Sequence, residues 1–266
     1  MLRRIMTNSL FFVLALGTAW AADVTLQTDD GVKLHAVYNP VKSATRGVVL
    51  VHMAGRSAED WAFITTKLNQ SGVATLAVDL RGHGGNVSPT SSPTTLTEAD
   101  YQKMQKDVAA AVAHLRKQGV TDVSLMGASI GANLCLQVAA ADPNIKSVVM
   151  LSPGMNFKGV TLSEALTTYG DRSLLVVAAV DDAYSAKTAQ YIQDAARSRQ
   201  VVQMFSAGGH GTKMLNRVPE LEPLVMSWLL GTYRTGNEPG VVGSNPNITT
   251  TDTQKVETTG TAFGGK

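Results

Sequence analysis

The stretch Val120-Thr121-Asp122-Val123-Ser124-Leu125-Met126-Gly127-Ala128-Ser129-Ile130-Gly131, continuing through Ala132-Asn133-Leu134-Cys135-Leu136-Gln137-Val138-Ala139-Ala140-Ala141, decides the fold. Val123, Leu125, Met126 and Ala128 alternate or cluster as a short buried strand does, and Ile130 to Ala141 is an apolar, Ala-rich segment of helical length. Ser129 stands where one turns into the other, with Gly127 two residues before it and Gly131 two after. A strand that breaks into a helix that abruptly leaves no room for side chains at the flanking positions, so glycine is required there. The bend pushes the Ser129 hydroxyl out at the carboxyl edge of a sheet, and the N–H of Ile130 points at the space above it.

Outward from this turn, the chain alternates strand and helix signals. Val24–Gln27 and Val32–Tyr38 flank Thr28-Asp29-Asp30-Gly31, a tight hairpin signal. Gly47–Val51 is a continuous β-branched run, expected of a strand buried on both faces. It ends in His52-Met53-Ala54-Gly55, and a helix follows from Ala58 to Gln70 with Trp61, Ile64 and Leu68 on one face. Val73–Val78 is the next strand and runs into Asp79-Leu80-Arg81-Gly82-His83-Gly84-Gly85, which is turn chemistry. A Ser/Thr/Pro loop over Asn86–Thr97 leads to Thr97-Glu98-Ala99-Asp100, a capping box opening a helix that runs to Gln118. After the Ser129 segment come a strand at Ile145–Leu151, a short helix at Leu162–Tyr169 and a strand at Leu174–Val180 that ends in Asp181-Asp182. A helix over Ser185–Ser198, a strand over Val201–Phe205, the turn Ser206-Ala207-Gly208-Gly209-His210 and a helix over Lys213–Leu230, interrupted near Pro219 and Pro223, complete the pattern. The fold class is α/β, with a mostly parallel central sheet of about eight strands and helices on both faces.

Both ends of the 266-residue chain lie outside that pattern. Arg3-Arg4, the apolar run Leu10–Leu16 and the A-x-A step Ala19-Trp20-Ala21 read as a secretory signal over 1–21, cleaved after Ala21. The alternative, a membrane anchor, is disfavoured because the apolar run falls short of the ~20 residues of a span. The domain then covers 22–234 and a Thr/Gly-rich tail without periodicity covers 235–266, read as disordered. The expected location is periplasmic or secreted, with no stable membrane span once the signal is removed. Removing 1–21 takes away Arg3 and Arg4 and no acid, so basic and acidic residues become equal in number. With no Lys/Arg run present, nucleic acid is not an expected partner. Cys135, the only cysteine, can form no internal disulfide and reads as buried filler of the helix after Ser129.

Acyl transfer by serine needs a presented hydroxyl, a base, an acid to orient the base, and N–H donors for the oxyanion. Ser129, Asp181 or Asp182, and His210 occur in that order, each after a strand at its carboxyl end, where an open parallel sheet puts its sites. His83 is the competing base; it lies in a Gly-rich turn at the same edge but precedes the serine, and it reads better as a ring holding the turn. His52 reads as an anchor of its own loop, and His35 and His114 as surface or packing residues. No His pair has metal-ligand spacing with a neighbouring Glu, and no Gly-x-Gly-x-x-Gly follows a strand, so neither metal nor dinucleotide is expected. Trp61, Trp228, Phe63 and Tyr191 read as core or groove packing.

On the strand ending in His52, the Asp79–Gly84 turn, the Ser129 elbow, Asp181-Asp182 and Gly209-His210-Gly211, the chain resembles α/β-hydrolase-fold serine hydrolases over Val24–Leu230. The likeness is to the compact, lidless dienelactone-hydrolase-like and acyl-esterase-like members. The resemblance implies Ser129 as nucleophile and His210 as general base. It implies Asp182 as the acid, with Asp181 the second candidate; whichever Asp is not the acid would be an N-cap for the helix from Ser185. It further implies an oxyanion hole from the N–H groups of Ile130 and Ala54, with Met53 as alternative to Ala54. With about 22 residues between Leu151 and Leu174, no cap domain fits and the site should be open, shaped by residues 86–97 and 153–169. The expected activity is cofactor-free hydrolysis of ester, thioester or lactone bonds in small acyl substrates. A peptidase or acyltransferase on the same triad, or an inactive binding protein of the same fold, are the alternatives.

Overall fold

The computed structural model describes residues 21–195 and 200–234. The leader read over 1–21 (apart from Ala21), the end of the helix at Ser198 and the tail over 235–266 lie outside the described residues. The strands are β1 (Ala22–Gln27), β2 (Lys33–Asn39), β3 (Arg46–Val51), β4 (Ala74–Val78), β5 (Asp122–Ala128), β6 (Ile145–Leu151), the short pair β7 (Asn156–Phe157) and β8 (Val160–Thr161), β9 (Ser173–Ala179) and β10 (Gln200–Phe205). All but β7 and β8 form one eight-stranded sheet in the order β1-β2-β4-β3-β5-β6-β9-β10. The pairs β1–β2 and β2–β4 are antiparallel, and every pairing from β4 to β10 is parallel.

Period-two alternation explains why the sheet is covered twice. In β3, Val49 and Val51 join one apolar cluster while Val48 and Leu50 join the other; in β9, Leu174 and Val176 face one side and Leu175 and Val177 the other. The first cluster receives α3 (Gln105–Lys117), α4 (Ile130–Ala141), α5 (Ser163–Tyr169) and α6 (Ala183–Ala195). The second receives Ile64 and Leu68 of α1 (Ala62–Gln70) and Leu221, Val225 and Leu229 of α7 (Leu221–Leu229). Cys135 is wholly buried in the first cluster, and burial pushes its thiol well above the ordinary range, so it is no thiolate nucleophile.

The parallel register sets the working rim. Val51 pairs with Gly127, Ala128 with Leu151, Leu151 with Val177, and Ala179 with Phe205, so these strands finish side by side. The loops after them carry His52-Met53-Ala54, Ser129, Ser152, Asp181-Asp182 and His210. An ion cluster with buried Arg81 and Asp107 joins the first hairpin to the helix layer. The Arg81 guanidinium donates from Nη2 to Asp107 Oδ1 (2.6 Å), from Nε to Asp107 Oδ1 and Oδ2 (2.9 and 3.2 Å), and from Nη1 and Nη2 to the two oxygens of Asp30 (2.9 and 3.1 Å), tying the first hairpin to α3.

Besides a 3-10 opening (Ala58–Trp61) to the helix expected over 58–70, three elements differ from the sequence reading. The helix expected over 98–118 is two, α2 (Glu98–Lys103) and α3, which meet at Met104; the Thr97/Asp100 capping box is present at the start. The segment 213–230 forms a 3-10 turn (Gly211–Asn216) and then α7, because Pro219 supplies no N–H and disfavours helical geometry in the residue before it. Pro223 is accommodated in the first turn of α7, where helical N–H groups have no ladder partner. The third is a hairpin, β7–β8, absent from the reading. Its two-residue turn has positive φ at both Lys158 (53°) and Gly159 (79°), as tight hairpins require.

Candidate active site

Ser129 sits between β5 and α4 at φ 56°, ψ −123°, a backbone conformation rare for a residue with a side chain. The two flanking glycines are there for space. A Cβ on Gly127 would collide with the carbonyl of Gly131, and one on Gly131 would collide with the carbonyl of Val51 and lie 2.6 Å from that of His52. The elbow therefore packs backbone to backbone against the end of β3. It is also tied to β6, since the Ser129 N–H donates to the Leu151 carbonyl at 2.8 Å.

The next residue along β6, Ser152, brings the histidine loop in. Ser152 Oγ accepts the Gly211 N–H at 2.9 Å. A Cβ on Gly211 would lie 2.6 Å from Met53 Sδ and 3.6 Å from the Ala128 Cβ. The residue after His210 thus packs on the residue before Ser129 and on the His52 loop, and the three loops meet at one point. Ser129 and His210 form no direct hydrogen bond in this structure.

His210 Nδ1 lies 2.6 Å from Asp182 Oδ2. A carboxylate only accepts, so Nδ1 carries a proton; in the neutral ring that leaves the lone pair on Nε2, the tautomer a general base needs. Burial alone would raise the Asp182 pKa, but hydrogen bonds from Ser185 and His210 outweigh it and hold the carboxyl below its ordinary value. Ser185, fully buried on the first turn of α6, also places its hydroxyl 3.5 Å from His210 Nδ1.

Asp181 is elsewhere. Both of its oxygens accept from the N–H groups of Gly208 and Gly209 at 3.0–3.2 Å, which fastens the loop leading into His210. The expected pairing of one Asp on the imidazole and the other as cap is corrected by this arrangement. Asp182 itself stands at the start of α6, its carbonyl accepting the Ala186 N–H at 2.9 Å, and Asp181 caps nothing.

The His52 loop is held from inside. The buried His52 ring donates from Nδ1 to the Met53 carbonyl (2.8 Å) and accepts the Leu80 N–H at Nε2 (3.0 Å), so both ring nitrogens are occupied. Burial lowers its pKa to about 4, keeping it neutral. The Met53 carbonyl also accepts the Arg56 N–H. Among the described residues no backbone acceptor takes up the N–H of Met53 or Ala54. The α4 ladder begins with Ala132 and Asn133 donating to the Ser129 carbonyl, which leaves the Ile130 N–H ahead of it. A bridge the sequence did not suggest spans the two loops: Asp60 accepts from Thr212 Oγ1 at 2.7 Å and from Arg56 at 2.9 Å.

His83 is not brought to the serine. Its ring is buried, its Nδ1 pairs with the Arg81 carbonyl at 3.0 Å, and burial lowers its pKa. It faces the His52 ring at 5.2 Å. His35 is gripped by Asp79 (2.8 Å) and Asp23 (3.1 Å), and His114 stands edge-on to Tyr38. Of the four aromatic residues read as packing, Trp61 is fully buried and Trp228 packs against the second cluster, but Phe63 and Tyr191 are largely exposed. Among the described residues no group of three or more His, Cys, Asp or Glu is placed to hold a metal ion. No described helix is long and apolar enough to cross a membrane.

The model of a family described as "Alpha/beta hydrolase family" matches residues 48–258. The fold is similar to that of a dienelactone hydrolase from Anabaena variabilis (TM-score 0.68, 19% identity, 82% of this chain and 100% of that one). It is also similar to an esterase from Pyrococcus furiosus (TM-score 0.64, 18% identity, 86% and 96%). A third likeness is to Est1E from Butyrivibrio proteoclasticus, solved with ferulic acid bound (TM-score 0.60, 19% identity, 78% and 99%). At these identities the likenesses speak to the fold alone. No curated protein matches the chain significantly.

Proposed function

The chain belongs to the alpha/beta hydrolase family, and from that premise we propose that it is a serine hydrolase of small carboxylic esters, thioesters or lactones. The observation that carries the reading is the 2.6 Å contact between His210 Nδ1 and Asp182, on a loop hydrogen-bonded to Ser152 beside the Ser129 elbow. Names of the structural neighbours, a dienelactone hydrolase and esterases, agree with that choice of bond.

In this reading Ser129 Oγ attacks the substrate carbonyl carbon while His210 Nε2 takes its proton. Asp182 holds the imidazole in the required tautomer and offsets the positive charge that forms on it. The negative charge on the carbonyl oxygen is met by the N–H of Ile130 and that of Ala54, or of Met53, which a fixed loop keeps oriented before substrate arrives. Collapse expels the alcohol or thiol with the proton from His210. Water then attacks the acyl-enzyme with the same base, returns Ser129 and releases the acid. No metal or cofactor enters these steps. We further propose that residues 1–21 direct export to the periplasm or beyond, a point that N-terminal sequencing of the mature protein decides.

The test of the enzyme reading is hydrolysis of p-nitrophenyl butanoate together with labelling by a fluorophosphonate. Ser129→Ala should lower kcat by at least about a thousandfold and abolish labelling, with the melting temperature retained. Turnover surviving in that variant overturns the assignment. Wild-type protein that neither labels nor hydrolyses supports a binding protein of the same fold instead.

A further inference from the structure

Beside His210 stands a feature that the acyl-transfer steps above do not use. The Phe157 ring lies edge-to-face with the His210 imidazole, centroids 6.1 Å apart and planes at 75°. On its other side it meets the Tyr184 ring at 5.6 Å and 74°. Tyr184 is 45% exposed, and Val180, two residues before Asp182 in the chain, is 59% exposed. Large apolar groups in water beside a reactive centre have an unfilled partner role, since covering them is favourable.

The arrangement is rigidly held. Gly154 lies so close that a Cβ there would be 2.5 Å from the Phe157 ring and 2.6 Å from that of Tyr184. The Tyr184 hydroxyl both donates to the Asn156 carbonyl and accepts its N–H, each at 3.0 Å. Asn133, one turn along α4 from Ser129, donates to the carbonyls of Gly154 (2.7 Å) and Val160 (2.9 Å). The hairpin carrying Phe157 is therefore pinned by the two helices that begin at Ser129 and at Asp182. An aromatic pair fixed this way presents ring faces and edges to an incoming ring at little entropic cost.

We propose that Phe157 and Tyr184 form a specificity wall that selects esters bearing an aromatic ring next to the scissile bond. This rests on the serine-hydrolase reading, because it takes the bond to be cleaved beside His210. A ring is favoured over an alkyl chain of similar size because it adds edge-to-face contacts with two rings already at right angles to one another. The ring can come from either side of the ester, and matched substrates separate the two. Methyl phenylacetate against methyl hexanoate reports the acyl side, and benzyl acetate against hexyl acetate the alcohol side.

Wild-type kcat/KM should favour the aromatic member of at least one pair, and the pair that shows the preference identifies the side. In Phe157→Leu, which keeps an apolar hairpin side chain, and in Phe157→Ala, that aryl-to-alkyl ratio should fall about tenfold. A role confined to holding His210 would lower both members of a pair together and leave the ratio unmoved. An unmoved ratio in both variants, or no aromatic preference in the wild type, overturns the wall. Wild-type protein that labels with a fluorophosphonate yet shows no preference defeats the wall alone; protein that neither labels nor hydrolyses any of the four esters defeats the enzyme reading and the wall with it.

Discussion

Replacing Gly131 by Ala sets two effects of opposite sign against each other, and the structure decides between them. Gly131 is on the first turn of α4, and alanine is the better helix former there by ~1 kcal/mol. Against that gain stands the added methyl, which would collide with the Val51 carbonyl oxygen and lie 2.6 Å from that of His52 and 2.9 Å from the Val51 carbonyl carbon. All three atoms are backbone, so no rotamer change relieves them, and the cost belongs at the upper end of the ~1–3 kcal/mol typical of overpacking. The net is ~2 kcal/mol of destabilisation, and at ~2–4 °C per kcal/mol the melting temperature should fall by ~4–8 °C. The displaced atoms lead directly into the Met53–Ala54 loop. A misplacement of the order of 1 Å there should cost about a hundredfold in kcat for p-nitrophenyl butanoate. Thermal unfolding by circular dichroism and steady-state kinetics on one preparation read both. A variant melting at or above the wild type with unchanged kcat would refute the steric account of the Gly-x-Ser-x-Gly spacing; a lower melting temperature with full activity would refute the link to the oxyanion donors proposed in the Met53–Ala54 loop.

The two neighbouring acids separate by contact. Asp182→Asn should lower kcat by roughly 10⁴, because an amide facing Nδ1 favours the wrong imidazole tautomer. Asp181→Asn keeps one acceptor for the Gly208 and Gly209 N–H groups and should cost only about 1 kcal/mol of stability and about tenfold in kcat; equal kinetic losses in the two variants would reverse the assignment. His52 gives a pH dependence. Its folded pKa of about 4 lies below the ordinary 6.5, chiefly through burial, so the unfolded chain takes up the proton first as the solution is acidified. Its contribution is complete above pH ~6.5 and is lost as pH falls toward ~4, amounting to about 3 kcal/mol. In urea titrations the stability gap between wild type and His52→Gln should therefore narrow between pH 7 and pH 4.5; a constant gap would contradict the neutral, doubly bonded ring.

What was legible in the sequence follows from what is periodic or locally constrained. Strands such as Val48–Val51 and Leu174–Ala179 are buried on both faces, and that writes itself as uninterrupted apolar runs. The spacing of Gly127, Ser129 and Gly131 announced a turn with no room for side chains. The chain order of serine, acid and histidine narrowed the acid to Asp181 or Asp182, the family resemblance preferred Asp182, and Asp182 is found 2.6 Å from His210. What escaped depends on partners far away along the chain. Ser152 matters through Gly211, Asp60 through Thr212, and Asp181 through Gly208 and Gly209; none of these pairs leaves a local pattern. The β7–β8 hairpin escaped for a different reason: Lys158 occupies a positive-φ position where Asn or Gly is the usual signal.

The manner in which that hairpin is fastened bears on how substrate range can change. Asn133, Gln137 and Tyr184 grip the carbonyls of Gly154, Val160, Thr161 and Asn156, and the N–H of Asn156, which are main-chain atoms that every residue supplies. The main chain of the hairpin is thus held without calling on its own side chains, although Val160 is wholly buried in the first cluster and Phe157 packs against it. If Phe157 is the selecting residue, as proposed, exchanging its side chain for another apolar one leaves these main-chain bonds intact, so that selectivity can shift at a single codon while the apparatus beneath is left untouched.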